Sequence, residues 1–254
     1  MLIRKLFGKV NYPENKQLIN KFTFFKNCVI LGSAPTINNH NLNNISKDDM
    51  IMTMGNFHEH IDIDIIQPHI HIFAASHEPI TENVLKSWWE RANKKLPNNT
   101  LILIERRDEV LARKIFLNRK IFVYSYGGQL PINFTKKIMS PWSVTIVALQ
   151  LSIYIQKKKI FLLGVDHDWQ CIKPYEHFYN HDKPSLEYYL KQKNISISYE
   201  EQKAPLSKER LYREYELYQQ YEALKDYAQS LGLNIYNGDK FSSFDVFDKK
   251  EYKF

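Results

Sequence analysis

Six groups of residues carry side chains suited to chemistry. The run Gly32-Ser33-Ala34-Pro35-Thr36 follows four apolar residues, Cys28-Val29-Ile30-Leu31. Glycine lets a backbone approach a ligand closely, Ser33 and Thr36 offer hydroxyls, and a helix after Pro35 would aim N–H groups at an anion. The run is neither GxGxxG nor a GK[ST] phosphate loop. Asn56, beside Gly55, has an amide that can read the edge of a base or sugar, and an Asn next to Gly also makes an ordinary turn. His177 and His181 stand four apart in His177-Phe178-Tyr179-Asn180-His181. The zinc-protease pattern needs Glu where Phe178 stands, so a general base is the better use of either imidazole, whose pKa of about 6.5 suits removal of a hydroxyl proton. Asp166-His167-Asp168 has the form DxD, which can hold a divalent cation on a diphosphate. Asp166 alone can instead bind a ribose or secure its own loop. Tyr175 and Tyr179 could donate hydrogen bonds to a departing phosphate. In Ser140-Pro141-Trp142-Ser143-Val144-Thr145, Ser140 reads as a helix cap, and the hydroxyl of Ser143 or Thr145 could reach a substrate.

These groups sit at the ends of regular elements. Apolar runs predict strands at 28–31, 50–54, 70–74, 100–104, 120–124, 160–163 and 233–236. Helices are predicted at 82–96, capped by Thr81, at 140–156, and at 207–231, stopped by Gly232. The first helix should bury Val84, Leu85, Trp88, Ala92 and Leu96; the last should bury Leu211, Tyr215, Tyr218, Leu224, Ala228 and Leu231. Strands alternating with helices, and strands without polar alternation, imply a mostly parallel sheet with helices on both faces, a Rossmann-like α/β fold. Residues 1–27 read as a basic N-terminal segment and 28–254 as a single domain. A polar stretch without period, about 167–206, reads as an inserted lid. In such sheets ligands bind beyond the carboxyl ends of the strands. That rim would carry Gly32 to Thr36, Asn56, Ser76 and His77, Asp166, and Asn237.

The composition sets wider bounds. Hydrophobic residues are 44% of the 254, enough for a sizeable core. Two cysteines, Cys28 and Cys171, form no disulfide framework, which suggests a reducing, cytoplasmic setting. No apolar run reaches the roughly 20 residues of a membrane span. The net charge of +7 suits a phosphorylated substrate or an anionic membrane surface. The basic residues are scattered, without a basic helix or an RNA-binding signature, so nucleic acid is not an expected partner.

Taken in order, these motifs resemble the small bacterial sialyltransferases that use CMP-sialic acid, glycosyltransferase family 42, and the related motility-accessory-factor and pterin-pyrophosphokinase-like proteins. The likeness spans about 28–168 and extends more loosely to Asn237. It implies metal-independent, cofactor-free, inverting transfer from a nucleotide-sugar donor, CMP-linked in the first instance. The acceptor would be a glycan or lipid-linked chain, as in lipopolysaccharide synthesis, reached from the cytoplasmic side of the inner membrane. By the same resemblance, Gly32, Ser33, Ala34, Pro35 and Thr36 form the nucleotide loop, and Asn56 and Ser143 bind the donor. Tyr175 and Tyr179 hold the phosphate, and His177 or His181 is the base; Ser76, His77 and Asp166 join the expected site from their strand-end positions. The chain departs from the family pattern in carrying Ser33 where Asn is usual and Met139 where an arginine precedes the helix. Two other readings remain open: a Mg²⁺-dependent pterin diphosphokinase-like enzyme, and a non-catalytic nucleotide- or glycan-binding accessory protein.

Overall fold

A computed structural model describes residues 11–77, 80, 82–167, 177–178, 208–240 and 242–253. Within them lie the strands β1 (Asn27–Leu31), β2 (Asp49–Met54), β3 (Ile70–Ile72), β4 (Leu101–Glu105), β5 (Ile121–Tyr126), β6 (Lys137–Ile138), β7 (Lys159–Leu163), β8 (Asn234–Asn237) and β9 (Asp248–Lys249). The helices are α1 (Lys16–Phe22), α2 (Ile63–Ile66), α3 (Glu82–Lys95), α4 (Glu109–Ile115), α5 (Val144–Tyr154) and α6 (Lys208–Ser230).

The strands form one sheet in the order β6-β5-β4-β3-β2-β1-β7-β8-β9, and every pairing among the described residues is parallel. Side chains alternate across it. Cys28 and Ile30 of β1 face the layer of α1, α5 and α6; Val29 and Leu31 face the layer of α2, α3 and α4. Burial on both faces is why these strands read as unbroken apolar runs. Cys28 is wholly buried, and desolvation pushes its thiol pKa up to about 12, which makes it a packing residue.

The sheet is begun by β1 and built outward through β2 to β6, and the chain then crosses back to lay β7 on the other side of β1. The order therefore reverses between β1 and β7. At such a switch point the loops leave in opposite directions and open a crevice at the carboxyl ends of the strands.

Several expectations are corrected. The predicted boundary at Cys28 falls inside the packed structure. Leu18, Phe22 and Phe25 are buried, and the Asn15 amide donates to the carbonyls of Val123 and Phe134, both at 2.8 Å. The buried Lys157 ammonium donates to the carbonyls of Phe22, at 2.5 Å, and Phe25, at 2.7 Å, which ties the end of α1 to the sheet. Helix α5 begins at Val144, and its cap is Ser143, whose hydroxyl accepts from Ile146 N–H; Ser140 and Pro141 precede the helix. Trp89 rather than Trp88 fills the α3 core. The buried face of α6 is Leu217, Tyr221, Leu224 and Ala228, while Leu211, Tyr215 and Leu231 are exposed. Among the described residues no helix is long and apolar enough to cross a membrane.

Candidate functional site

The end of β1 and the end of β7 approach too closely for side chains. Gly32 N–H donates to the Leu163 carbonyl at 2.8 Å, and Ala34 N–H donates to the Gly164 carbonyl at 3.0 Å. A Cβ on Gly32 would stand 2.2 Å from the Gly164 oxygen. Gly164 has φ of +66°, and a Cβ there would meet the Gly32 oxygen at 2.8 Å and Ile37 at 2.9 Å. Each glycine is required by the other. After the crossing, Ala34 is extended and Pro35–Asn39 forms a turn of 3₁₀ helix, with proline fixing φ at its start. The Thr36 hydroxyl donates to the Asp166 carboxylate at 2.7 Å, and His40 Nε2 lies 3.4 Å from the buried Asp239 carboxylate. Acidic groups beyond β7 and β8 thus hold the segment that follows β1. Asp166 secures the loop, one of the uses its position suggested.

His177 enters this crevice. Its Nδ1 lies 2.9 Å from Ser33 Oγ, and the next residue, Phe178, donates its backbone N–H to the Ser33 carbonyl at 3.0 Å. The Phe178 ring packs edge-on against Phe57, at 5.3 Å between centroids, and against His60, at 5.1 Å. Phe57 and His60 belong to the turn that follows Asn56, which is half-buried and whose side chain does not cap that turn. One aromatic anchor therefore brings together the loops after β1 and β2 and the His177 segment. Sequence reading passed over Phe178; the available signal was a lone large apolar ring beside a histidine in a polar stretch. Asp168, Tyr175, Tyr179 and His181 lie outside the described residues, as does Thr81.

Ser143 occupies a second place on the same rim. Its Oγ lies 3.1 Å from the Tyr221 hydroxyl, which lies 2.6 Å from His167 Nε2. His167 directly follows Asp166 and has φ of +46°. Ser76 and His77 are not drawn into either cluster. Ser76 N–H donates to Asp108 at 2.7 Å, its hydroxyl donates to the same carboxylate, and His77 is exposed. They follow β3, where Ser76, Leu85, Arg107, Asp108, Leu111 and Lys114 help to line a cavity of about 410 Å³. Arg107 donates to Glu105, to the Ser76 carbonyl and to Tyr126. Those bonds bind it into the frame of the rim.

The buried histidines near the rim are structural and neutral at pH 7. His71 is enclosed, and burial, reinforced by the neighbouring His58, lowers its pKa to about 3. Its Nε2–H donates to the Gly55 carbonyl at 2.9 Å, so its Nδ1 accepts from Thr53 at 2.7 Å. Burial lowers His167 to about 4. Both folded pKa values lie below the unfolded value near 6.5, so the unfolded chain binds more protons in between. Their contribution is complete above pH 6.5 and is lost as pH falls toward 4 for His167 and 3 for His71, about 1.4 kcal/mol per pH unit for each. Thermal melts should therefore show Tm falling already between pH 6.5 and 5, above the carboxylate range; a constant Tm across that interval would contradict the assignment.

No protein-family model matches the sequence, and no curated protein matches it. Among solved structures the chain is similar to the sialyltransferase CstII from Campylobacter jejuni in complex with the substrate analogue CMP-3FNeuAc. The TM-score is 0.51 at 14% identity, over 88% of this chain and 85% of that one. It is likewise similar to the same enzyme in complex with cytidine-5'-monophosphate, with TM-score 0.51 at 13% identity over 88% and 84%. What the chain shares with these sialyltransferases is their fold.

Proposed function

We propose that this chain is an inverting, nucleotide-sugar-dependent glycosyltransferase with a CMP-linked donor, acting on a surface glycan such as lipopolysaccharide. The observation that carries the reading is the contact of His177 Nδ1 with Ser33 Oγ at the β1/β7 switch point. The contact supports the reading by setting an imidazole beside the loop to which we assign the nucleotide phosphate. The fold likeness to enzymes bound to CMP and CMP-3FNeuAc supports the same donor.

With Nδ1–H donating to Ser33, the lone pair of His177 resides on Nε2, the arrangement a general base needs. In the reaction the acceptor O–H gives its proton to Nε2. The acceptor oxygen bonds to the anomeric carbon as the bond from that carbon to the phosphate oxygen breaks on the opposite face, so configuration inverts. CMP leaves with the bonding electrons. The Ser143 hydroxyl and, by resemblance, Tyr175 and Tyr179 offset its charge. Asn56 would read the donor, and Thr36–Asp166 keeps the loop in place. His181 is the alternative base. The excess of basic residues fits a cytoplasmic enzyme held against an anionic inner membrane bearing its acceptor.

The test is thermal stabilisation by CMP, UDP and GDP in turn. CMP at a hundredfold excess over its Kd should stabilise by about 2.7 kcal/mol. Stabilisation by UDP or GDP and not CMP would overturn the donor assignment.

A further inference from the structure

Tyr221 lies 78 residues beyond Ser143, yet its hydroxyl lies between Ser143 Oγ and His167 Nε2, at 3.1 and 2.6 Å. Its ring is fully buried and packs edge-on against Phe244 and Phe247, with centroids 4.8 and 5.8 Å away. Packing holds the phenol in position whatever its hydroxyl does. The result is a row of three hydroxyl or imidazole groups running from the end of β7 to the first turn of α5 at the carboxyl rim of the sheet.

The direction of the hydrogen bonds along this row decides what Ser143 can offer. As the cap of α5, Ser143 Oγ already accepts from Ile146 N–H, at 3.4 Å. If His167 Nε2–H donates to Tyr221, the phenol can donate its proton to Ser143 Oγ. Both lone pairs of that oxygen are then used, and its own proton is left for a ligand. If Tyr221 donates to His167 instead, Ser143 donates to Tyr221 and keeps only an accepting lone pair, which an anion would repel. His167 is neutral near pH 7, so both tautomers are open to it in principle.

We propose that Tyr221 is a positioning residue that, with His167 in the Nε2–H tautomer, turns the Ser143 hydroxyl outward as a hydrogen-bond donor to an anionic group of the ligand. The inference rests on the proposed donor site in taking that group to be the nucleotide phosphate. It adds α6, which follows the polar stretch in the chain, to the parts that set phosphate affinity.

The tautomer is read first, by ¹⁵N NMR of histidine-labelled protein at pH 7.5. A protonated Nε2 on His167 is expected; a protonated Nδ1 would overturn the proposal whether or not CMP binds. Calorimetry with CMP then follows on wild type, Tyr221→Phe, Ser143→Ala and the double variant. Tyr221→Phe keeps the ring packing and removes only the hydroxyl. Each single variant should weaken CMP about tenfold, and the double variant no further than Ser143→Ala alone. An unchanged Kd for Tyr221→Phe, or an additional full loss on top of Ser143→Ala, would show a role in packing only and overturn it. A protonated Nε2 in a protein that does not bind CMP would support the directed row and count against the CMP-linked donor.

Discussion

His177→Ala should lower kcat for sugar transfer by about 10²–10⁴-fold, the range expected for loss of a general base. CMP binding should be unchanged, because the loop crossing and the Thr36–Asp166 contact do not depend on the imidazole. Steady-state kinetics alongside calorimetry would separate the two effects. Ser33→Ala should give a smaller loss in kcat, since it removes the partner at Nδ1, 2.9 Å away, and leaves the base itself. Phe178 still anchors the segment to Phe57 and His60 in both variants, so neither should unfold the protein. Full activity in His177→Ala would move the base to His181, and full activity in His177→Ala and in His181→Ala alike would contradict a lid-histidine base.

Gly32→Ala should be strongly damaging, because the added methyl group has no room at the β1/β7 crossing. The new Cβ would lie 2.2 Å from the backbone oxygen of Gly164 and 2.8 Å from Val165 Cγ2. A backbone oxygen cannot rotate away, so β1 and β7 would have to separate. The bonds from Gly32 N–H to Leu163 and from Ala34 N–H to Gly164 would open with them. The expected cost is roughly 3 kcal/mol, the upper end for overpacking, with loss of stabilisation by CMP. Gly55→Ala is the control. Its Cβ meets nothing within 4 Å, and only its φ of +58° resists the substitution, at about 1–2 kcal/mol. Urea unfolding distinguishes them. A Gly32→Ala protein with the wild-type midpoint and CMP affinity would mean that the crossing does not shape the loop.

The parts of this fold that the sequence announces are those whose signal is local. Continuous apolar runs ending at glycine mark the strands of the sheet centre, and Ser33, Asn56 and Asp166 are visible because each lies within two residues of such a glycine. Strands β6 and β9 are two residues long and carry no periodicity to detect. The register of α6 is ambiguous in the sequence because tyrosine and leucine occur on several of its faces. Stripes through Leu211 and Tyr215 and through Leu217 and Tyr221 fit equally well until the core selects one. Ser76 looked like a ligand residue from its strand-end position, yet the Asp108 carboxylate, 32 residues away, claims both its donors. The seating of Phe178 on Phe57 and the row from His167 to Ser143 join residues separated by 121, 54 and 78 positions. Contacts at such distances leave no mark on local sequence pattern.

The most direct measurement is chromatography of purified protein incubated with CMP-sialic acid and lipopolysaccharide in the presence of EDTA. CMP should be released in step with sugar added to the acceptor, at a rate EDTA does not change and His177→Ala removes. A donor that remains intact, or turnover that EDTA abolishes, would contradict metal-free transfer from a CMP-linked sugar at the β1/β7 crevice.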